Sequence, residues 1–160
     1  MKYAGIIKND FAAAPGVCLT FFVQGCPIKC PGCQNPETWD FDGGKEFNTE
    51  VLDKIEEGIL ANGLQRTLCI MGGEPLCQEN LFLTTMIVTE MKKRIPDLKI
   101  WIWSGYDYEV IQKEITSNPK LEYILNEING LVAGPYIESL KDITLPMRGS
   151  SNQEIIKLRD

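Results

Sequence analysis

Three cysteines stand close together in a Gly- and Pro-rich segment, as Cys26, Cys30 and Cys33 with the spacing C-x₃-C-x₂-C. Thiolates select soft metals, so zinc and iron–sulfur clusters are the candidate ligands. A structural zinc takes four protein ligands in a closed tetrahedron. Three thiolates on a [4Fe-4S] cluster leave one iron free for a small molecule, as catalytic metal sites keep an open position. The motif therefore favours an open iron–sulfur cluster.

A metal site with four cysteine ligands remains an alternative, because the chain has three further cysteines. Cys18 and Cys69 fall in predicted strands, where Cys69 is typical of a small buried hydrophobe. Cys77 follows a glycine-containing loop and is a candidate fourth ligand for zinc or for a Cys₄ cluster. The sequence contains no histidine, which excludes Cys₂His₂ zinc fingers and Ser-His-Asp catalysis.

A second segment with possible chemistry is Gly72-Gly73-Glu74-Pro75, directly after a short apolar run. Two adjacent glycines allow the backbone to approach a ligand closely. A backbone carbonyl or the Glu74 carboxylate can accept a hydrogen bond from a cation. Alone, the same residues are also typical of an ordinary tight turn after a strand.

Alternating strands and helices must position these segments. The predicted strands are 17–23, 67–71, 98–103, 130–133 and a final one from 152, and the predicted helices are 48–62, 79–94, 108–116 and 119–128. This alternation predicts a single α/β domain over residues 1–160 with a parallel sheet and right-handed crossovers. Ligands bind beyond the carboxyl ends of such strands, where the unusual loops would converge on one rim.

The charge and the apolar runs restrict partners and location. A formal net charge of −6 argues against a nucleic-acid partner, and the basic cluster 92–94 is better explained as cations that complement a helix dipole. No apolar run approaches the ~18 residues that would span a bilayer, and the first residues do not resemble a signal peptide. We therefore expect no membrane association and a cytoplasmic location, where thiols stay reduced.

The two segments together resemble the radical S-adenosylmethionine superfamily, which has C-x₃-C-x₂-C after the first strand and Gly-Gly-Glu-Pro after the second. Within it, the chain is similar to the family of activating proteins of the anaerobic ribonucleoside-triphosphate reductase. The supporting residues run along most of the chain: 15–17, 22–26, 30–36, Trp39, 72–76, 103–106, 134–136 and 148–153.

This resemblance implies a partial (open) parallel β/α barrel and two cofactors, a [4Fe-4S] cluster and S-adenosyl-L-methionine. Its implied activity is reductive cleavage of S-adenosylmethionine to a 5′-deoxyadenosyl radical. The radical then forms a glycyl radical on a large reductase subunit, and a flavodoxin-type protein is the implied kind of electron donor. The absence of an inserted ferredoxin-like domain favours this partner over other glycyl-radical enzymes.

The resemblance also assigns residue roles. Cys26, Cys30 and Cys33 become the cluster ligands, and segment 72–75 binds the methionine ammonium. The remaining cofactor-binding residues are Gly32, Cys33 and Gln34 at the adenine and Ser104 at a ribose hydroxyl, with a simple turn-forming role for Ser104 as the alternative. The aromatic residues of the third predicted strand and the loop after it, for which we favour core packing over cofactor contact, are Trp101, Trp103 and Tyr106.

Several positions depart from the family pattern and bear on partner recognition: Ala13, Ala14, Cys18, Ile28, Ala133 and Glu154. The competing functions are a radical enzyme acting on another glycyl-radical enzyme or on a small molecule, and a non-catalytic iron–sulfur electron carrier or zinc-binding module. A structural α/β domain with inert thiols is a further alternative, which the cysteine spacing disfavours.

Overall fold

A computed structural model describes residues 1–160 as one seven-stranded sheet with helices packed against it. The strands are β1 (Lys2–Asp10), β2 (Cys18–Val23), β3 (Lys45–Glu46), β4 (Thr67–Gly72), β5 (Ile100–Ser104), β6 (Gly130–Ala133) and β7 (Glu154–Lys157). The helices are α1 (Thr49–Leu60), α2 (Gln78–Arg94), α3 (Tyr108–Ile115) and α4 (Pro119–Glu127). All helices and all buried strands that the sequence predicts are present, with ends shifted by one or two residues.

The sheet is mixed, with a parallel centre and antiparallel edges. Its order is β3-β1-β2-β4-β5-β6-β7, in which β2, β4, β5 and β6 run parallel. The strands β1 and β3 add antiparallel on one side and β7 adds antiparallel to β6 on the other. The prediction of a parallel sheet is therefore confirmed for its centre but not for its sides, and α/β and an open sheet are confirmed.

The strand β1, which lies between β2 and the two-residue edge strand β3, was missed because its sequence lacks a buried strand's pattern. It reads Lys-Tyr-Ala-Gly-Ile-Ile-Lys-Asn-Asp, and only Tyr3 of its residues is fully buried. An antiparallel strand that is only partly buried does not need the continuous apolar run of a central parallel strand, so periodicity does not reveal it.

The helices cover one face of the sheet. Helix α1 buries residues at helical spacing, which are Val51, Leu52, Ile55 and Ile59, against the strand residues Leu19 and Phe21. The opposite face carries the alternate residues of the same strands, and a smaller cluster there contains Cys18, Cys69, Trp101 and Trp103. The loops 11–16 and 143–149 lie over this second face.

The parallel centre brings four loops to one rim. The chain leaves β2, β4, β5 and β6 at the same edge of the sheet, and these exits lead into the cysteine loop, Gly72-Gly73-Glu74-Pro75, Ser104-Gly105 and Gly134-Pro135. No helix of the chain has the length and apolar character needed to cross a membrane.

Candidate functional site

One cavity of about 490 Å³ opens at this rim, and its walls include residues from all four loops. The predicted site residues on its walls are Cys26, Cys30, Cys33, Gln34, Gly72, Gly73, Glu74 and Ser104. Gly32 and Pro75 are the two predicted residues that do not line it. The convergence expected from the strand order is therefore present in the structure.

Backbone hydrogen bonds set the course of the cysteine loop. The Cys26 amide donates to the Trp39 carbonyl at 3.1 Å, and the Cys33 amide donates to the Cys30 carbonyl at 3.1 Å. Gly32 has φ +78°, in the left-handed region that glycine adopts without strain. An added Cβ at Gly32 would also meet the Glu138 carboxylate, but that side chain can move away, so the left-handed backbone is the main reason for glycine before Cys33.

The three motif thiols are free and partly accessible at the cavity, whereas the other three are buried. Cys18 and Cys69 lie beside each other on the sheet face, where a hydrogen bond from Cys69 lowers the pKa of Cys18 to about 7. That same contact, together with burial, raises the pKa of Cys69. This pair is part of the small cluster that fills the sheet face.

Cys77 is also unsuited to act as a fourth ligand. Its thiol is buried and donates to the Glu74 carbonyl at 3.2 Å. Burial raises the pKa of Cys77 to about 12. Its side chain lines a different cavity, between α2 and α3.

The donor set fits an iron–sulfur cluster with one iron left for a ligand. Three free thiols face an open cavity, and none of the other cysteines joins them. Nowhere do three His, Cys, Asp or Glu side chains lie close enough to hold one metal ion. A single zinc would draw thiolates to within ~3.8 Å of each other, since its Zn–S bonds are ~2.3 Å in a tetrahedron. A cluster is larger and spaces its thiolates farther apart.

The Gly-Gly-Glu-Pro loop is fastened to the start of the cysteine loop. The Gly73 amide donates to the Val23 carbonyl at 3.0 Å, and the Glu74 amide donates to the Gly25 carbonyl at 2.9 Å. The Asn80 side-chain amide donates to the same Gly25 carbonyl at 3.0 Å. A Cβ at Gly73 would overlap that carbonyl, so only glycine permits this approach.

The Glu74 carboxylate joins the second and third loops of the rim. It is 1% exposed and accepts hydrogen bonds from the Leu76 amide at 2.9 Å, the Ser104 hydroxyl at 2.8 Å and the Gly105 amide at 2.6 Å. Burial raises the pKa of Glu74 to about 7, against the opposing effect of these donors. Ser104 therefore lies at the cavity but directs its proton to Glu74.

Because burial raises the pKa of Glu74, we expect the metal-free protein to lose stability as pH rises. The carboxyl titrates at 4.5 when unfolded and at about 7 when folded, so ionisation between these values disfavours the folded state. The expected loss is about 3 kcal/mol of unfolding free energy between about pH 4.5 and about pH 7. Urea unfolding of the parent and of Glu74→Gln across this range measures it. A stability difference between the two proteins that stays constant with pH would contradict the expectation.

Of the two tryptophans in β5, one packs in the core and the other also lines the cavity. Trp101 lies over Gly130 and packs in the small cluster, as expected for core. Trp103 also packs there but lines the cavity, with its indole donating to the Met147 carbonyl at 2.8 Å. Tyr106 lies in the other cavity, between α2 and α3.

Sequence reasoning missed the contribution of the C-terminal segment to the site. Met147, Arg148 and Gln153 line the cavity, although the sequence indicated only that Arg148 and Gln153 belong to a family motif. The Gln153 side chain holds this segment by accepting from the Gly149 amide at 2.9 Å and donating to the Gly134 carbonyl at 3.1 Å. Asn80, which also supports the loops, gave no signal in the sequence.

Comparison with known protein families identifies the kind of domain that forms this cavity. A model of the family described as "4Fe-4S single cluster domain" matches residues 12–156. The chain belongs to this family. The match spans most of the chain and includes every loop that forms the cavity.

Relatives that align along the whole chain identify a narrower family. The chain is 34% identical over 160 residues to the anaerobic ribonucleoside-triphosphate reductase-activating protein of Salmonella typhi, covering 99% of this chain and 100% of that protein. The protein of the same description from Escherichia coli K12 is 32% identical with the same coverage. That from Enterobacteria phage T4 is 32% identical over 97% of this chain and 93% of its own length. The chain therefore belongs to the family of these activating proteins as well as to the 4Fe-4S family.

Proposed function

We propose that this chain is a radical S-adenosylmethionine enzyme that activates an anaerobic ribonucleoside-triphosphate reductase. The observation that carries the proposal is one cavity with three free thiols on one wall and the Gly-Gly-Glu-Pro loop on another, in a chain whose full-length relatives are activating proteins. The fold in this proposal is a partial β/α barrel of the radical S-adenosylmethionine type, formed by one domain over residues 1–160.

The chain's residues have separate tasks in this function. Cys26, Cys30 and Cys33 hold the [4Fe-4S] cluster by their thiolates. The Gly73 carbonyl accepts no hydrogen bond within the chain and lies at the cavity wall, so it can accept one from the methionine ammonium. The Glu74 carboxylate has about four lone-pair sites, three of them used by the chain's own donors, and so has one for the same ammonium.

The remaining cofactor contacts concern the nucleoside. The backbone at Gly32, Cys33 and Gln34 passes the adenine. The Ser104 hydroxyl donates to Glu74 and accepts from the Tyr106 amide at 3.2 Å, so it has one acceptor site for a ribose hydroxyl. Pro75 does not reach the cavity and instead fixes the loop, since its carbonyl accepts from the Thr84 hydroxyl at 2.7 Å.

A [4Fe-4S] cluster held by Cys26, Cys30 and Cys33 would supply the electron for reductive cleavage of S-adenosylmethionine, and the radical chemistry that this makes available would be directed at a glycine Cα of the reductase. The chain must bring the glycine within ~3–3.5 Å of the 5′ carbon. An open cavity at the sheet's rim suits a protein loop as substrate. A flavodoxin-type protein is the proposed electron donor, the cytoplasm is the proposed location, and neither a nucleic acid nor a membrane takes part.

The buried state of the other cysteines supports this function over a zinc module. A closed Cys₄ site would need one of Cys18, Cys69 or Cys77, and these lie in the sheet-face cluster or bond to the Glu74 carbonyl. An electron carrier needs neither an open iron nor an unpaired carbonyl at the cavity. An experiment distinguishes the reductase from the other possible targets of the radical, which are another glycyl-radical enzyme and a small molecule.

The partner assignment is tested by spectroscopy on the mixture. The cluster-loaded protein, reduced without oxygen, is combined with S-adenosylmethionine and the anaerobic reductase of the same organism. We expect a glycyl-radical signal in electron paramagnetic resonance on the reductase, and no signal when its target glycine is replaced by alanine. Cleavage of S-adenosylmethionine without any radical on the reductase would reject this partner and leave another target.

A further inference from the structure

Four sulfur-containing side chains lie on the sheet face opposite the helices, apart from the three thiols of the motif. Cys18 and Cys69 are fully buried in the small cluster on this face, and Met71 and Met147 pack against that cluster. Neither of these two cysteines lines the cavity at the rim. The proposed cleavage of S-adenosylmethionine uses none of the four sulfurs, so the group is a candidate for a separate role.

The register of the sheet sets the spacing of the two buried thiols. Cys18 pairs with Thr67 and Thr20 pairs with Cys69, so the cysteines are diagonal neighbours on adjacent parallel strands. Diagonal neighbours have Cα atoms roughly 7–8 Å apart, whereas a disulfide needs about 4.4–6.8 Å. Their thiols nevertheless share a hydrogen bond. The two sulfurs therefore meet on a backbone that is too widely spaced for a direct S–S bond.

A metal ion fits between two sulfurs at such a separation. Metal–sulfur bonds of ~2.3 Å place two sulfur ligands ~3.8 Å apart or more. Thiolates and thioethers together select Cu(I), whereas zinc takes thiolate, imidazole and carboxylate ligands. No third Cys, Asp or Glu side chain lies close enough to complete a zinc site here. Two thiols with thioethers beside them are therefore the donor set of a soft monovalent ion.

The two methionines offer a third sulfur ligand. Met71 follows Cys69 by two residues on β4, so both side chains emerge on the same face of the sheet. Met147 lies in the loop over this face, and its carbonyl accepts from the Trp103 indole at 2.8 Å. Trp101 and Trp103 pack against the same cluster, with ring centroids 6.5 Å apart, and the face of an aromatic ring attracts a cation.

The loop that covers the cysteines can move without disturbing the sheet. Residues 11–16 lie over the pair, and the Cys18 thiol donates to the Ala14 carbonyl at 3.5 Å. No backbone–backbone hydrogen bond ties residues 11–16 to the rest of the chain. The loop side chains in the cluster, Ala13 and Ala14, are small. Displacement of this loop therefore gives an ion access to the buried thiols.

We propose that Cys18 and Cys69 bind a soft monovalent metal ion, Cu(I) or its analogue Ag(I), with the thioether of Met71 or Met147 as a third ligand. Binding releases the protons of the two thiols to solvent and leaves the oxidation state of the ion unchanged. The site goes beyond the proposed function and does not depend on it, because it shares no ligand with the iron–sulfur cluster.

The test is an oxygen-free titration of the cluster-loaded protein with Cu(I), in competition with a colorimetric Cu(I) chelator. The motif cysteines are occupied in this form, so they do not compete for the added ion. We expect the parent to bind one equivalent of copper with its iron content unchanged. The fluorescence of the neighbouring Trp101 and Trp103 should be quenched in step with binding.

Loss of either thiol should remove most of this affinity. Cys18→Ala and Cys69→Ala are each expected to weaken Cu(I) binding by about 100-fold or more, since even groups that only support a metal ligand contribute 10- to 100-fold. Met71→Leu and Met147→Leu keep the size of the side chain without its sulfur, and one of them should weaken binding by about 10-fold. The proteins are compared at equal iron content, so that only folded protein is counted.

The matched control is Cys77→Ala, which removes another buried thiol, at the cavity between α2 and α3, and should bind Cu(I) as the parent does. Failure of the parent to take up copper, or equal weakening in Cys77→Ala, would overturn the inference. Copper uptake with a matching loss of iron would also overturn it, since the motif thiols would then hold the copper. So would a Cys18–Cys69 disulfide found by mass spectrometry in the parent kept without oxygen.

Discussion

Cys33→Ala is expected to lose the iron–sulfur cluster and all cleavage of S-adenosylmethionine. Cys33 is one of three free thiols at the cavity and its loop offers no replacement ligand, since the sequence has no histidine. Two thiolates cannot hold a cluster whose fourth iron is also without a protein ligand. Iron and sulfide content after anaerobic reconstitution, with the amount of 5′-deoxyadenosine formed, measures both losses. The same result is expected for Cys26→Ala and Cys30→Ala.

The chain offers a matched cysteine control. Cys77→Ala removes a buried thiol whose hydrogen bond goes to the Glu74 carbonyl, in a side chain that lines the other cavity. We expect this variant to bind the full complement of iron and to retain cleavage. Loss of the cluster in Cys77→Ala, with retention in Cys33→Ala, would mean that a different set of cysteines holds the metal.

Gly73→Ala is expected to disrupt the site by moving backbone. The new Cβ would overlap the Gly25 carbonyl, which cannot withdraw freely because the Glu74 amide and the Asn80 side chain both donate to it. Separating these groups breaks the attachment between the second loop and the cysteine loop. We expect a loss of about 2 to 3 kcal/mol in unfolding free energy, within the usual range for overpacking.

The functional effect of Gly73→Ala should exceed its stability effect. The Gly73 carbonyl is the proposed acceptor for the methionine ammonium, so a displaced loop weakens ligand binding even in molecules that fold. Gly5→Ala is the control, since a Cβ there meets nothing within 4 Å. Cleavage by the folded fraction of Gly73→Ala at the parent rate would show that this carbonyl does not bind the ligand.

The central strands of the fold were predictable because the apolar character of their sequences matches their burial. The strand 130–133 is buried on both faces and reads as a short apolar run, so its bounds matched. The antiparallel strands β1 and β7 face solvent in part and keep polar residues, so their patterns are weak and their direction is not encoded locally. Direction depends on pairing partners far along the chain.

The candidate site was predictable as far as its motifs extend. The spacing of Cys26, Cys30 and Cys33 indicated a metal-binding motif. The order of the strands predicted which loops meet at the rim. Spacing could not reveal that the Ser104 proton goes to Glu74, because that contact depends on the relative depth of two loops. Nor could it reveal Arg148 at the wall, since a chain segment that crosses the rim has no periodicity to mark its inward side.

The most direct test of the proposed function is a cleavage assay on the parent chain alone. The protein is loaded with iron and sulfide without oxygen, reduced with dithionite and given S-adenosylmethionine, with Cys30→Ala treated identically. We expect 5′-deoxyadenosine and methionine in equal amounts from the parent and neither from the variant. A chain that retains zinc and takes up no cluster, or one that is fully loaded yet forms no 5′-deoxyadenosine even with the reductase present, would contradict the radical mechanism.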